Sequence, residues 1–177
     1  MTGSAAPPFR VMALNFVAFQ VGWFACVLGA GRGLAWLGPL VVALVLGATW
    51  WYAPRRRELL LLLAVAGAVG LCWDSALAAA GLIGYAPGAL TPPLAPLWIL
   101  ALWLLFASTF ALSMRWLRSR VLLSAAFAAV AAPLSYLAGE RLGALQLLRP
   151  PAALIAQGLG WALLLPGLLL LSRRLDA

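Results

Sequence analysis

One carboxylate, Asp74, lies deep inside the apolar run 59–85, which is long enough to cross a bilayer. An ionisable group at that depth costs roughly 2.5–3.5 kcal/mol on insertion scales, so it needs polar partners or a functional purpose. Two interpretations are open. In the structural one, Tyr136, Gln157, a tryptophan indole or Arg32 satisfies the carboxylate and fixes the fold. In the functional one, Asp74 is a proton-carrying or catalytic acid in a cavity.

Other polar side chains occur within the remaining apolar runs. Asp74 itself lies about 16 residues, or roughly 24 Å, from the start of its run, which places it toward the far end. The candidate intramembrane polar site comprises Asp74, Ser75, Tyr136, Glu140, Gln157 and Gln20. Most of these are expected near the same end of the bundle, whereas Gln20 is expected near mid-depth. Their convergence is a hypothesis, because the sequence does not fix the helix order, and the pattern assigns no catalytic residue.

Six membrane-spanning helices must position these side chains, since about 20 apolar residues cross the roughly 30 Å hydrocarbon core. The predicted spans are 11–30, 34–53, 59–83, 94–114, 121–139 and 152–171. They indicate an all-α, polytopic integral membrane bundle of six transmembrane helices. The chain then divides into a short polar N-terminal lead (1–10), one six-helix transmembrane domain (11–172) and a cytoplasmic tail (173–177). Proline and glycine interrupt 85–93, which is predicted to be a re-entrant or interfacial loop.

The arginines predict the orientation of this bundle. Nine lie on one predicted side: Arg10, Arg55, Arg56, Arg57, Arg115, Arg118, Arg120, Arg173 and Arg174. Three lie on the other side: Arg32, Arg141 and Arg149. Because arginine accumulates in cytoplasmic connections, both termini are expected in the cytoplasm.

Composition excludes several classes of function. The chain is 66% hydrophobic and 9% charged, so it has too little polar surface for a separate soluble domain. It has no histidine and no lysine, which removes the usual ligands of haem and zinc and any Schiff base. We therefore expect no cofactor and no metal. The net charge of +8 does not indicate nucleic-acid binding, because the arginines lie at the ends of apolar runs.

Small residues recur at helical spacing within the predicted spans. In membranes, such residues let helices approach closely, so they predict packing faces. The predicted helix-packing glycines are Gly22, Gly67, Gly70, Gly81, Gly139 and Gly143. The stripe in the third span also carries Asp74, which predicts that this carboxylate faces the interior of the bundle.

Several segments together resemble a bacterial family of small polytopic inner-membrane proteins, classed as a domain of unknown function. They are 15–30, 73–75, 96–117, 131–145 and 160–162, together with Pro166. The resemblance implies a multi-pass protein of the bacterial inner (cytoplasmic) membrane. The family pattern commonly has Asn-His before the serine of the fourth span. Here Phe110-Ala111-Leu112-Ser113 lacks both residues. A family site that used this histidine would therefore be altered.

The resemblance also implies a context, because family members are often encoded near cyclopropane-fatty-acid-synthase-like methyltransferases. Three hypotheses follow. The first is a non-enzymatic accessory or lipid-binding component of membrane-lipid modification or membrane-stress response. Its expected partners are membrane lipids, and a lipid-modifying enzyme or other membrane subunits. The second is a small proton-coupled transporter or flippase that uses Asp74. The third is a membrane-embedded lipid-modifying enzyme with Asp74, Tyr136 and Glu140 as acid/base groups.

Overall fold

The computed structural model describes residues 7–88 and 94–175. These residues form six α-helices: α1 (Phe9–Gly31), α2 (Leu37–Tyr52), α3 (Arg56–Ala79), α4 (Leu97–Ala107), α5 (Val121–Arg141) and α6 (Pro150–Leu175). The prediction of an all-helical protein is therefore confirmed. Residues 1–6 of the predicted lead, 89–93 of the predicted loop and 176–177 of the predicted tail lie outside the described residues.

Four helices, α1, α3, α5 and α6, are long and apolar enough to cross a membrane. The other two are shorter, since α2 has 16 residues and α4 has 11. At 1.5 Å per residue, an 11-residue helix extends roughly 16 Å, about half of the hydrocarbon core. The sequence predicted a span of 94–114 here, so the fourth helix is shorter than expected.

Two hydroxyl side chains lie where α4 ends. Ser108 donates from Oγ to the Leu105 carbonyl at 2.6 Å, and Thr109 donates from Oγ1 to the Phe106 carbonyl at 2.6 Å. Such local bonds compete with continuation of the helix. The chain then runs through turns to a 3₁₀ segment at Arg115–Leu117.

The unwound segment after α4 is covered by protein. Ser108, Thr109 and Phe110 are all buried, which suits non-helical backbone at membrane depth. Farther along, Ser113 donates to Asn15 Oδ1 of α1 from its Oγ at 2.7 Å and from its backbone N at 3.4 Å. The buried Asn15 therefore holds this segment against α1.

A two-stranded antiparallel sheet, which the sequence did not predict, closes one end of the bundle. Strand β1 (Ile83–Tyr85) pairs with β2 (Leu145–Leu147), with Ile83 opposite Leu147 and Tyr85 opposite Leu145. Each strand has three residues, too few to show an alternating pattern.

Two of the predicted packing glycines belong to the turns that lead toward this sheet. Gly81 follows α3 with φ +65°, and Gly143 follows α5 with φ +80°. Only glycine adopts such angles without strain. The prediction of helix packing therefore needs correction at Gly81, because no side chain lies near it in the described structure.

Helix α4 occupies the centre of the bundle, where it contacts α1, α2 and α3. Its buried residues lie on all sides: Trp98, Ile99, Ala101, Trp103, Leu105 and Ala107. Two of the predicted packing glycines leave space for side chains of α4, since Gly22 of α1 faces Leu105 and Gly67 of α3 faces Leu104. Gly139 instead faces Leu145 of β2.

Helices α5 and α6 form a hairpin that joins the other helices chiefly through contact between α6 and α3. Helices α1 and α5 do not pack closely against each other. This gap in the helix packing produces the cavity described below.

Candidate functional site

Asp74 accepts three hydrogen bonds in the interior of the bundle and has no exposed surface. Tyr85 and Tyr136 each donate from the hydroxyl group to Oδ1 at 2.5 Å. Trp103 donates from Nε1 to Oδ2 at 2.6 Å. The donors come from β1, α5 and α4, so one carboxylate of α3 connects four elements. All three donors are neutral side chains, which satisfy a carboxylate without an ion pair.

The local sequence explains how each donor reaches Asp74. Gly70 lies one helical turn before Asp74, and a Cβ atom there would overlap the Trp103 indole. The pairing of β1 with β2 turns the chain back after α3 and brings Tyr85 over the carboxylate. Tyr85 also makes an edge contact with Trp98, with 6.0 Å between ring centroids. Burial raises the pKa of Tyr85 well above its ordinary value, so this hydroxyl remains protonated as a donor.

Other predicted site residues have separate hydrogen-bonding roles. Ser75 Oγ accepts from the backbone N of Ala95 at 2.9 Å. Glu140 Oε1 accepts from the backbone N of Leu147 in β2 at 2.8 Å. Both side chains therefore anchor the connections at this end of the bundle. The structure joins Asp74 directly to Tyr136, but Ser75 and Glu140 bind backbone groups.

Gln157 and Gln20 complete the predicted set. Gln157 is fully buried beside Tyr136, and its Oε1 accepts from Trp73 Nε1 at 3.3 Å. Gln20 lies apart from Asp74 on α1, where it lines the cavity. Arg32, which was considered as a partner of Asp74, is exposed after the end of α1.

The sequence does not indicate that Tyr85 and Trp103 are two of the hydrogen-bond partners of Asp74. Tyr85 lay in a segment predicted as a loop, and nothing in the pattern indicated that it folds back onto α3. A tryptophan indole was expected as a partner of Asp74. The chain has nine tryptophans, however, and the sequence does not indicate that Trp103 is the one. The useful signal for Trp103 is Gly70, because a glycine one turn from a buried acid leaves space for a large side chain.

A cavity of about 440 Å³ lies between α1, α4, α5 and α6. Nine aromatic side chains line it, and none of its lining residues is charged. Phe24, Phe127 and Leu134 also belong to this lining, although each is 45–59% exposed on the outer surface. These three residues therefore mark an opening on the side of the bundle, between α1 and α5.

The polar groups of the cavity differ in whether they have partners. Trp23 of α1 donates from Nε1 to Ser135 Oγ of α5 at 3.2 Å, across the gap between these helices. The Tyr136 hydroxyl is bonded to Asp74. In contrast, Nε1 of Trp161 is buried and has no hydrogen-bond partner within the described ranges.

Asp74 is not part of the cavity lining, whereas Trp103 and Tyr136 are. Both of these side chains are hydrogen-bonded to the carboxylate. Asp74 therefore holds two side chains of the cavity wall in position from outside the cavity. Trp103 in turn stacks on Trp161, with centroids 4.4 Å apart and planes 19° apart. The arrangement can therefore enclose an apolar molecule between rigid aromatic walls.

The described residues contain no group of three His, Cys, Asp or Glu side chains placed to hold a metal ion. Tyr85 and Tyr136 both donate to Asp74, and of these three titratable side chains only Tyr136 lines the cavity. The carboxylate of Asp74 itself lies outside the lining of the cavity.

Comparison with known proteins agrees with the resemblance found in the sequence. No curated protein and no solved structure matches the chain. The family model described as "Protein of unknown function (DUF2878)" matches residues 12–167, most of the chain. The chain therefore belongs to the DUF2878 family of proteins of unknown function.

Proposed function

We propose that this protein binds a membrane lipid in the cavity between α1, α4, α5 and α6, and holds it as an accessory component of lipid metabolism in the membrane. The observation that carries the proposal is the uncharged, aromatic cavity of about 440 Å³. Its size falls within the roughly 300–1,000 Å³ range of ligand pockets. In a membrane protein, the lipid chains of the surrounding bilayer are available to fill an apolar space of this size.

The position of the opening supports entry from the bilayer. The exposed lining residues Phe24, Phe127 and Leu134 lie on the flank of the bundle, beside helices long and apolar enough to cross a membrane. The hydrogen bond between Trp23 and Ser135 bridges α1 and α5. A lipid chain would enter between these helices without passing through water.

The proposal includes a bundle that crosses the bacterial inner membrane six times with both termini in the cytoplasm. The contacts between connections support it. A Cβ atom at Gly31 would overlap the Leu142 carbonyl, so the turns after α1 and α5 share one end. Arg118 is hydrogen-bonded to Ser172, which brings the connection before α5 to the last turns of α6. The larger group of arginines therefore lies at this second end of the bundle, as expected of the cytoplasmic side.

The same geometry favours a holding role for Asp74 over the alternatives of a proton switch or a catalytic acid. Both carboxylate oxygens accept hydrogen bonds from side chains that form the cavity walls or the closing sheet. Glu140, the second carboxylate of the enzyme hypothesis, binds the backbone of β2. Neither carboxylate lines the cavity in which a substrate would lie.

Lipid occupancy measured by native mass spectrometry tests the proposal. The protein would be purified in mild detergent, and the mass of any bound lipid would be recorded for the wild type and two variants. Ala131→Phe fills the cavity, whereas Ala126→Phe adds the same side chain to the exposed side of α5. We expect bound lipid on the wild type and Ala126→Phe, and at least about tenfold less on Ala131→Phe, or about 1.4 kcal/mol. A lipid-free wild type, or equal occupancy in both variants, would contradict the proposal.

A further inference from the structure

We propose that the bound lipid has a net negative phosphodiester head group, as in phosphatidylglycerol, which Arg32 and Arg141 bind while an acyl chain of the same lipid occupies the cavity. This inference rests on the proposed function and specifies its ligand. It comes from the position of two exposed arginines relative to the opening between α1 and α5.

Arg32 and Arg141 lie at the ends of the two helices that border the opening. Arg32 follows the last residue of α1, and Arg141 is the last residue of α5. These helix ends are in contact, because a Cβ atom at Gly31 would overlap the Leu142 carbonyl. The two arginines therefore occupy neighbouring positions at the same end of the bundle.

Arg141 also lies on the side of α5 that carries the opening. Phe127, Leu134 and Arg141 follow one another at intervals of seven residues, which keeps them on one face of a helix with a drift of only about 20° per interval. Phe127 and Leu134 are the exposed lining residues of α5 that mark the opening. Arg141 thus continues their face toward the end of the helix.

The depth of the opening below the arginines suits a single lipid molecule. Leu134 precedes Arg141 by seven residues and Phe24 precedes Arg32 by eight, which corresponds to roughly 10–12 Å along each helix. Half of the hydrocarbon core is about 15 Å thick, so the arginines and the opening belong to the same leaflet. One lipid can therefore place its head group on the arginines and a chain in the cavity.

The side chains of both arginines are available to a ligand. They are exposed, and neither is ion-paired or hydrogen-bonded to another side chain or backbone group in the described parts of the chain. The neighbouring carboxylate, Glu140, accepts from the backbone N of Leu147 with its Oε1. Guanidinium groups present paired donors that match the oxygens of a phosphate. In the proposed orientation the positive-inside rule disfavours arginine at this end, so topology does not account for the pair.

The distribution of charge indicates the class of lipid. The cavity lining is uncharged and largely aromatic, so it accepts a chain and leaves a charged head group outside. A zwitterionic head group would bring its own cation toward the two arginines, whereas a phosphatidylglycerol head group brings none. Each arginine near an anionic lipid favours binding by about fivefold, so the pair should favour phosphatidylglycerol over phosphatidylcholine by about 25-fold.

Competition between two lipids with the same chains tests this inference. The full-length protein in detergent micelles would be equilibrated with equal amounts of dioleoyl phosphatidylglycerol and dioleoyl phosphatidylcholine, and native mass spectrometry would record the bound lipid. Only lipid that is lost in Ala131→Phe is counted as lying in the cavity. The preference of the wild type should fall to about fivefold in Arg32→Gln and in Arg141→Gln, and to about one in the double variant.

Two further variants and one competitor serve as controls. Arg149→Gln removes an exposed arginine of the same end that lies beside α3, where Leu148 N donates to the Leu82 carbonyl, and it should keep the full preference. Lysine at both positions 32 and 141 restores the charges and should recover a preference above about fivefold, which separates loss of charge from misfolding. Inorganic phosphate in large excess should leave the lipid in place, because it has no chain to bury in the cavity.

The failures of the two proposals are distinguishable. The inference about the head group is overturned, and lipid binding stands, if the wild type binds both lipids equally or if the double glutamine variant keeps the preference. The same conclusion follows if Arg149→Gln loses the preference, if the lysine pair does not recover it, or if inorganic phosphate displaces the lipid. If neither lipid is bound to the wild type, both proposals are overturned.

Discussion

Trp103 and Asp74 are joined by a 2.6 Å hydrogen bond from the indole Nε1 to the carboxylate Oδ2, while the same indole stacks on Trp161. One side chain thus connects a buried carboxylate on α3 with the wall of the cavity. Tyr136 makes a second connection of this kind from α5. Under the proposed function, Asp74 is a positioning residue for the cavity, and its contribution should appear in both stability and lipid binding.

Asp74→Asn should destabilise the protein by about 1–3 kcal/mol, because one carboxylate oxygen becomes an amide donor and leaves a buried donor such as Trp103 Nε1 unpaired. Unfolding in mixed micelles measures the loss. Glu58→Gln, which changes an acid in the first turn of the same helix, is the matched control and should have little effect. An Asp74→Asn variant with unchanged stability and lipid occupancy would contradict the positioning role.

A double-mutant cycle measures the energetic coupling between the two tyrosines that share one acceptor oxygen of Asp74. Tyr85 and Tyr136 both donate to Asp74 Oδ1, so Tyr85→Phe and Tyr136→Phe each leave that oxygen one donor. The double variant leaves it none. We therefore expect the double variant to lose more stability than the sum of the single losses, with a coupling of about 0.5–3 kcal/mol. Simple additivity would show that the two hydroxyl groups act independently.

Gly70→Ala tests how α3 admits the Trp103 indole. The added methyl group would overlap the indole, so Trp103 must shift and its bond to Asp74 must lengthen. We expect a loss of about 1–3 kcal/mol, as for overpacking of a core. Gly47→Ala on α2 is the control, since nothing lies near a Cβ atom there and alanine is the better helix former. Equal effects at both glycines would contradict this packing.

Ser135→Ala tests the connection across the opening. It removes the acceptor of the Trp23 hydrogen bond between α1 and α5. Bound lipid should then exchange about threefold to tenfold faster, which corresponds to one neutral hydrogen bond. Ser124→Ala on the same helix removes a bond to the Val121 carbonyl within α5 and should leave exchange unchanged. Exchange rates of a fluorescent lipid in stopped flow provide the comparison.

The helices of this protein follow from local apolar runs, and five predicted spans end within a few residues of the observed helices. The fourth does not, because apolar residues continue past Ala107 although the backbone leaves the helix there. Hydropathy reports whether a segment is buried in lipid or protein, and it does not report the local bonds of Ser108 and Thr109 that accompany the break.

In the candidate site, too, the sequence predicted the features that are local and not those that depend on distant segments. Asp74 and Tyr136 were grouped because each lies on a stripe of small residues at a similar depth, and both features are local. Tyr85 was missed because its position depends on pairing with β2, about 60 residues later in the chain. The cavity was missed as well, since it arises from the gap between α1 and α5 and no single segment encodes it.

Photo-crosslinking in vesicles tests the central claim of lipid binding most directly. A lipid with a diazirine on its acyl chain would be incorporated, irradiated, and its adducts mapped by mass spectrometry. Ile99 and Leu165 line the cavity and are 4% and 1% exposed, so they are reached from inside it. We predict adducts on these residues in addition to the outward-facing Leu122 and Leu163, and their loss in Ala131→Phe. Adducts confined to Leu122, Leu163 and other outward-facing residues would contradict a lipid in the cavity.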